Sequence, residues 1–100
     1  MVQATTPTFV LTLPNEVDLS QANNIYFTLR QNGIQIDKTG GQIVVDGQNV
    51  SVYLSQSETI SLQVGLAQLQ LNWTYANGAR ACSNIVSIPV TENLLKVAIP

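Results

Sequence analysis

The most regular alternation of side chains in this 100-residue sequence is Ala67-Gln68-Leu69-Gln70-Leu71-Asn72-Trp73-Thr74-Tyr75. Every second residue is apolar or aromatic, and the residues between them are Gln, Asn or Thr. A period of two is typical of a β-strand that buries one face and exposes the other. The stretch therefore predicts a long strand with Trp73 and Tyr75 on its inward face.

Shorter alternating stretches lie on both sides of this strand. They predict further strands at 9–13, 25–31, 34–38, 43–45, 50–54, 80–90 and 94–99. The turn pairs Asn32-Gly33, Asp46-Gly47 and Asn77-Gly78 predict three hairpins. Asn32-Gly33 favours the two positive φ values of a type I′ turn.

Two local features modify this pattern. The apolar phase shifts within 80–90, which predicts a β-bulge near residues 84–86, and Pro89 predicts a sheet edge or a strand end because it has no N–H. Ser55-Gln56-Ser57-Glu58 has the spacing of a capping box. It predicts about one helical turn near 55–60 that carries the chain from one sheet to the other.

Strand signals at spacings of about 8–12 residues are typical of antiparallel sandwiches and small barrels. We predict an all-β fold, an antiparallel β-sandwich of seven or eight strands with one short helical turn. A partly closed barrel is the alternative, since periodicity does not give strand order. Residues 1–100 form one predicted domain, of which 1–6 are expected to be flexible.

Charged residues are scarce in this sequence. They make up 10% of the chain, against about 25% in an average soluble domain. The hydrophobic fraction of 45% and the net charge of −2 exclude a disordered chain. Only four basic residues occur, and they are scattered, so we expect no nucleic-acid partner and no membrane surface as a partner. The first residues have neither the basic nor the apolar region of a signal peptide.

Groups for catalysis are few. The chain has no His, and Cys82 has no base in the sequence to activate it, so we expect it to be a small buried or half-buried residue. Glu16 and Asp18 lie two residues apart and could share a cation, but a solvated turn is the better interpretation. We therefore expect no enzyme, no catalytic residue, no cofactor and no metal.

Two features of the predicted surface favour association. Tyr26 and Tyr53 are out of phase with their apolar neighbours and should face outward. They are candidate interface residues, because Tyr is enriched at interfaces, or alternatively a cross-strand surface pair. Only two Lys are present to protect strand edges, which favours pairing of open edges with another copy in a homo-oligomer.

Several stretches together resemble a known family. They are Phe9-Val10-Leu11-Thr12-Leu13, Ile25-Tyr26-Phe27-Thr28-Leu29-Arg30-Gln31, Val50-Ser51-Val52-Tyr53-Leu54-Ser55-Gln56-Ser57-Glu58-Thr59, Gly65 with the strand Ala67 to Trp73, Asn77-Gly78, and Ser83-Asn84-Ile85-Val86-Ser87-Ile88-Pro89-Val90 with a Leu-containing tail. In this order they resemble small β-sandwich proteins from the structural-gene region of tailed phages and of Firmicutes prophages. The resemblance covers most of the chain, but no single motif is diagnostic, and the low charge content departs from the family pattern.

The resemblance implies an immunoglobulin-like or baseplate-type sandwich that serves as a structural or accessory protein of a virion, in a tail, baseplate or neck. It implies no enzymatic activity and supplies no binding residues. We therefore expect a protein made in the bacterial cytoplasm and located in the virion, with itself and other virion proteins as partners. The alternative is a carbohydrate-binding or adhesion module of a bacterial or phage surface, which exposure of Trp73 would favour.

Overall fold

Eight β-strands, one short helix and two 3₁₀ turns make up the structure, a computed structural model that describes residues 1–100. The strands are β1 (Thr8–Thr12), β2 (Ala22–Gln31), β3 (Ile34–Thr39), β4 (Ile43–Asp46), β5 (Asn49–Tyr53), β6 (Gly65–Tyr75), β7 (Arg80–Cys82) and β8 (Val86–Val90). The helix is α1 (Gln56–Ile60), and the 3₁₀ turns are Leu19–Gln21 and Gly40–Gln42.

The strands form two antiparallel sheets. The smaller sheet has the order β1-β5-β4. The larger has the order β3-β2-β6, and β7 and β8 pair with successive parts of the far side of β6. Helix α1 carries the chain from the smaller sheet to the larger one. The predicted all-β antiparallel sandwich, with its helical turn near 55–60, is confirmed.

The core lies between the two sheets, where their apolar faces meet. From β6 come Leu69, Leu71 and Trp73, none of them more than 3% exposed. Across the sandwich, the rings of Phe9 and Phe27 stack with their centroids 6.3 Å apart. Burying one such side chain contributes roughly 1.5–3 kcal/mol. The inward phase predicted for β6 is therefore confirmed, and Trp73 belongs to the core.

The three predicted hairpins are present, with one difference in turn geometry. Between β2 and β3, Asn32 has a φ of 52°, but Gly33 is not in the left-handed region. A type I′ turn needs positive φ at both central residues, so the prediction of that type is wrong. A positive φ at the first central residue alone is the feature of a type II′ turn. Gly47, with a φ of 60°, occupies the same position between β4 and β5.

The bulge and the capping box are also confirmed. Asn72 pairs with Cys82 and Leu69 with Val86, so three residues, 83–85, stand opposite two, 70–71. At the start of α1, the Glu58 N–H donates to Ser55 Oγ at 3.3 Å and the Ser55 N–H donates to Glu58 Oε1 at 2.9 Å. Pro89 lies in β8, which borders an open edge, as predicted for a residue without an N–H.

The first residues make long-range contacts. Val2 forms a parallel bridge with Thr91, and Gln3 is only 5% exposed. The flexibility expected of residues 1–6 stays a prediction. The Gln3 amide donates to the Leu62 carbonyl at 2.6 Å, a long-range contact without a local sequence signal. The prediction of a strand at 94–99 is wrong, because these residues pair with no strand and are exposed.

Candidate functional site

An apolar groove opens between the two sheets on the side where β1 faces β7 and β8. Its volume is about 590 Å³, within the range of about 300–1,000 Å³ found for ligand sites. Ten of its 14 lining residues are hydrophobic and none is charged. Its lining includes Phe9, Leu11, Trp73, Cys82, Val86 and Ile88. No strand joins the two sheets along this side, which leaves the groove accessible from solvent.

The free edge of β1 runs along this groove. The Leu54 N–H donates to the Pro7 carbonyl at 3.0 Å, and the Leu13 N–H donates to the Gln48 carbonyl at 2.9 Å. Because main-chain groups alternate in direction along a strand, the odd-numbered residues of β1 face β5. The N–H and C=O groups of Thr8, Val10 and Thr12 therefore face the open side, where no strand pairs with them.

This edge lacks the devices that protect the larger sheet at β3 and β8. In β3 an inward-pointing Lys38 forms an ion pair with Glu58 at 2.7 Å, and β8 contains Pro89. Inward charges, prolines and bulges are the usual means by which edge strands avoid pairing with other chains. Strand β1, Thr-Phe-Val-Leu-Thr, has none of them. Strand β4, at the opposite edge of the smaller sheet, also contains no proline and no bulge, but none of its residues lines the groove. Strand β1 is therefore the unprotected edge that lies beside the groove.

The two candidate tyrosines lie on different sheets. Tyr26 is in β2, opposite Thr39 and Asn72, and is 42% exposed. Tyr53 is in β5, opposite Thr8, and is 53% exposed. Both face outward, but the interpretation of a cross-strand pair is wrong because no strand pairing connects them. Participation of either residue in an interface stays a prediction.

Tyr26 borders a shallow polar hollow on the outer face of the larger sheet. The hollow has a volume of about 430 Å³. In it the Arg80 guanidinium donates through Nε and Nη2 to Asn72 Oδ1 at 3.3 and 3.1 Å. Asp37 accepts from the Thr28 hydroxyl at 2.7 Å. The hollow therefore combines one half-exposed ring with several hydrogen-bonding side chains.

The titratable candidates have other roles. Cys82, expected to be buried or half-buried, is exposed because it takes the outward phase of the short strand β7. Asp18 accepts from the Ser20 N–H at 3.0 Å and caps the first 3₁₀ turn, so it has a structural role. Glu16 is exposed. No three His, Cys, Asp or Glu residues lie together in an arrangement that could hold a metal ion.

Sequence reasoning missed the groove itself. The absence of charge, proline and bulge in residues 8–12 is readable in the sequence, but it matters only once β1 is known to be an edge.

None of the helices in the structure has the length and apolar character needed to cross a membrane. Comparisons of the chain with models of protein families, with curated proteins and with solved structures find no match.

Proposed function

We propose that this chain is a non-enzymatic structural or accessory protein of a phage or prophage particle, of the tail, baseplate or neck type. It acts by self-association and by docking to other particle proteins. The observation that carries the proposal is the unprotected edge of β1 beside an uncharged apolar groove. The sequence resemblance described above supports the phage context.

The chemistry of this edge favours strand addition. An extended segment placed beside β1 would pair with the main-chain groups of Thr8, Val10 and Thr12, and its alternate side chains would enter the groove. In such complexes the main-chain hydrogen bonds give affinity and the pockets for alternate side chains give specificity. The low charge of the chain is consistent with a surface that docks rather than one that stays solvated throughout.

Analysis of purified particles tests this function. We would induce the prophage of a strain that encodes the chain, purify the particles and measure their composition by quantitative mass spectrometry. We expect tens of copies of the chain per particle, because a copy number of this size indicates a repeating assembly. Its absence from particles whose coat and tail proteins are detected would overturn the proposal.

Two matched variants test the role of the edge in the same particles. The Val10 N–H faces the open edge, so Val10→Pro blocks strand addition without removing a hydrogen bond to β5. By the same alternation, the Val45 N–H faces outward from β4 at the opposite edge of the smaller sheet. We expect particles to lose the Val10→Pro protein and to retain the Val45→Pro protein. Equal incorporation of both would contradict docking through β1.

The second candidate function is carbohydrate binding, and the hollow beside Tyr26 is the observation that favours it. An exposed aromatic ring flanked by Asp37, Asn72 and Arg80 has the chemistry that sugar recognition uses, stacking plus planar hydrogen-bonding groups. Trp73 is only 3% exposed and makes no such platform. A glycan array should show binding that Tyr26→Ala abolishes and Tyr53→Ala leaves intact; an array without signal removes this candidate.

A further inference from the structure

We infer that the occupant of the groove is the segment Leu94–Ile99 of a second copy of this chain, added as a strand beside β1. This inference rests on the proposed docking function, because it uses the same edge and the same groove. It adds the identity of the partner segment and the face of that segment that enters the groove.

The segment Leu94–Ile99 is an apolar strand sequence without a sheet. Four of the chain's fourteen large exposed hydrophobic residues lie in these six positions. They are Leu94, Leu95, Val97 and Ile99, which are 96%, 55%, 58% and 55% exposed. Elsewhere in the chain, alternation of this kind forms paired strands. One chain therefore contains both an unpaired strand sequence and an unpaired sheet edge.

The alternation of the segment fixes which face enters the groove. In an extended conformation Leu95, Val97 and Ile99 share one face, and Lys96 lies on the other. The groove lining contains no charged residue that would pair with a buried ammonium group. The face with Leu95, Val97 and Ile99 therefore points inward, and Lys96 remains in solvent.

The dimensions of the segment and the edge agree. At about 3.3 Å per residue, six residues span roughly 20 Å and the five residues of β1 roughly 17 Å. The groove volume of about 590 Å³ equals the volume that about 20 water molecules occupy in the liquid, at roughly 30 Å³ each. Three aliphatic side chains are a suitable occupant for a space of this size and character.

In its own chain the segment is held elsewhere. The Thr91 N–H donates to the Met1 carbonyl at 2.8 Å, and the Asn93 amide donates to the Gln3 carbonyl at 3.0 Å. At the other end, the Gln56 side chain pairs with the Ile99 main chain in both directions, at 2.9 and 3.0 Å. None of these anchoring residues lines the groove. Release of the Gln56 contact frees the segment for a neighbouring molecule, while the link at 91–93 stays in place.

Light scattering after gel filtration of the full chain gives the first test. We expect a discrete multiple of 10.8 kDa for the unmodified protein. Val97→Asp places a charge on the inward face and should give a monomer, whereas Ala98→Asp makes the same change on the outward face and should leave the multiple intact. A monomer for the unmodified protein, or equal behaviour of the two variants, would overturn the inference.

Disulfide trapping identifies the occupant through Val86, which pairs with the inward Leu69, lines the groove and is 44% exposed. With the outward-facing Cys82 replaced by Ser, we would combine Val86→Cys with Leu95→Cys or with Ile99→Cys and oxidise each protein. We expect one of the two pairs to form a covalent dimer that does not form when Val86 is left unchanged. An intramolecular disulfide would show that a chain fills its own groove, and no disulfide with either pair would show that the segment does not enter the groove; each result contradicts the inference.

Failure of this inference can be distinguished from failure of the proposed function. A monomeric protein without trapping that is still present in purified particles would overturn the second-copy occupant alone. Absence from the particles would overturn the function, whatever the purified chain does in solution.

Discussion

Glu58 joins helix α1 to strand β3 through one carboxylate. Its Oε1 accepts from the Ser55 N–H at 2.9 Å and from Lys38 Nζ at 2.8 Å. The side chains of Lys38 and Glu58 are only 11% and 26% exposed. Burial raises the pKa of Glu58, but the hydrogen bonds from Lys38 and Ser55 together outweigh it and lower the pKa below its ordinary value of 4.5.

This lowered pKa predicts acid sensitivity. A carboxyl with a lower pKa in the folded state stabilises the fold above its ordinary pKa, and that contribution is lost as the pH falls through the folded value. Glu58→Gln should therefore lower the free energy of unfolding by about 1–3 kcal/mol near neutral pH, because it weakens the cap and leaves Lys38 unpaired. Urea unfolding at about pH 7 and about pH 3 measures this difference, which should shrink at the acid pH.

Glu16→Gln is the control for this prediction. Glu16 is exposed and takes part in no ion pair, so its replacement removes a charge without a structural contact. We expect a change within about 0.5 kcal/mol, as for most surface substitutions. A loss for Glu58→Gln that is the same at both pH values would show that the carboxylate charge does not provide the stabilisation.

At the scale of elements, the bulge between β7 and β8 depends on Ser83. The Leu71 N–H donates to Ser83 Oγ at 2.9 Å, and the Ser83 N–H donates to the Leu71 carbonyl at 2.9 Å. The hydroxyl thus replaces a main-chain acceptor at the position where the extra residue interrupts the ladder. Leu71 is fully buried, so its N–H has no water to accept the hydrogen bond instead.

Ser83→Ala should leave that N–H without a partner. An unsatisfied buried donor costs about 1–3 kcal/mol, and the Leu71 amide should exchange its hydrogen faster than in the unmodified protein. Hydrogen exchange followed by NMR measures the exchange rate of the Leu71 amide and, from it, the loss of stability at this residue. Ser87→Ala, at an exposed position of β8 opposite Gln68, is the matched control and should leave the exchange of Leu71 unchanged. Unchanged exchange in Ser83→Ala itself would argue that another group satisfies the amide.

The elements predicted well are those with local causes. The inward phase of Leu69 and Trp73 follows from a period of two, the hairpins follow from their Gly-containing turns, and Ser55 begins α1 through a contact three residues away. Long-range contacts could not be predicted in this way. The Gln3 amide reaches the Leu62 carbonyl across 59 positions, and no local pattern contains that information.

The groove, too, could not be predicted from local sequence patterns. It exists because β1 pairs with β5 and with no strand on its other side, and strand order is not written in periodicity. The apolar pattern of 94–99 is typical of a strand, yet the segment pairs with no edge of its own chain, so the predicted strand is absent. The exposure of Cys82 also depends on strand pairing, because it follows from the outward phase that β7 takes with Cys82 opposite Asn72.

At the scale of the whole molecule, the first residues close the end of the sandwich. The radius of gyration of 14.4 Å exceeds the roughly 13 Å typical of 100 residues, so the molecule is elongated. Hydrogen bonds from the first residues hold one end of it together. Gln3 contributes three of them, with the Gln3 N–H donating to Thr91 at 3.0 Å, its amide donating to Leu62 at 2.6 Å and its carbonyl accepting from Asn93 at 3.0 Å.

Removal of residues 1–5 should therefore destabilise the whole fold. At about 1 kcal/mol net for each lost hydrogen bond, the free energy of unfolding should fall by about 2–4 kcal/mol. For a domain of this length, about 4–8 °C per kcal/mol converts that loss into a fall in Tm of roughly 8–32 °C. Differential scanning calorimetry of both proteins at the same concentration measures the shift, because the Tm of an associating protein depends on its concentration.

Two point variants distinguish the loss of the Gln3 hydrogen bond from a general effect of shortening the chain. Gln3→Ala removes the amide that reaches Leu62 and leaves a buried carbonyl without its donor, so it should reproduce a substantial part of the fall in Tm. Thr6→Ala changes the exposed residue that directly follows the removed segment and should leave the Tm nearly unchanged. If residues 1–5 can be removed without loss of Tm, the contacts between this segment and residues 91–93 do not stabilise the sandwich, and the anchoring of the link that positions Leu94–Ile99 loses its physical basis.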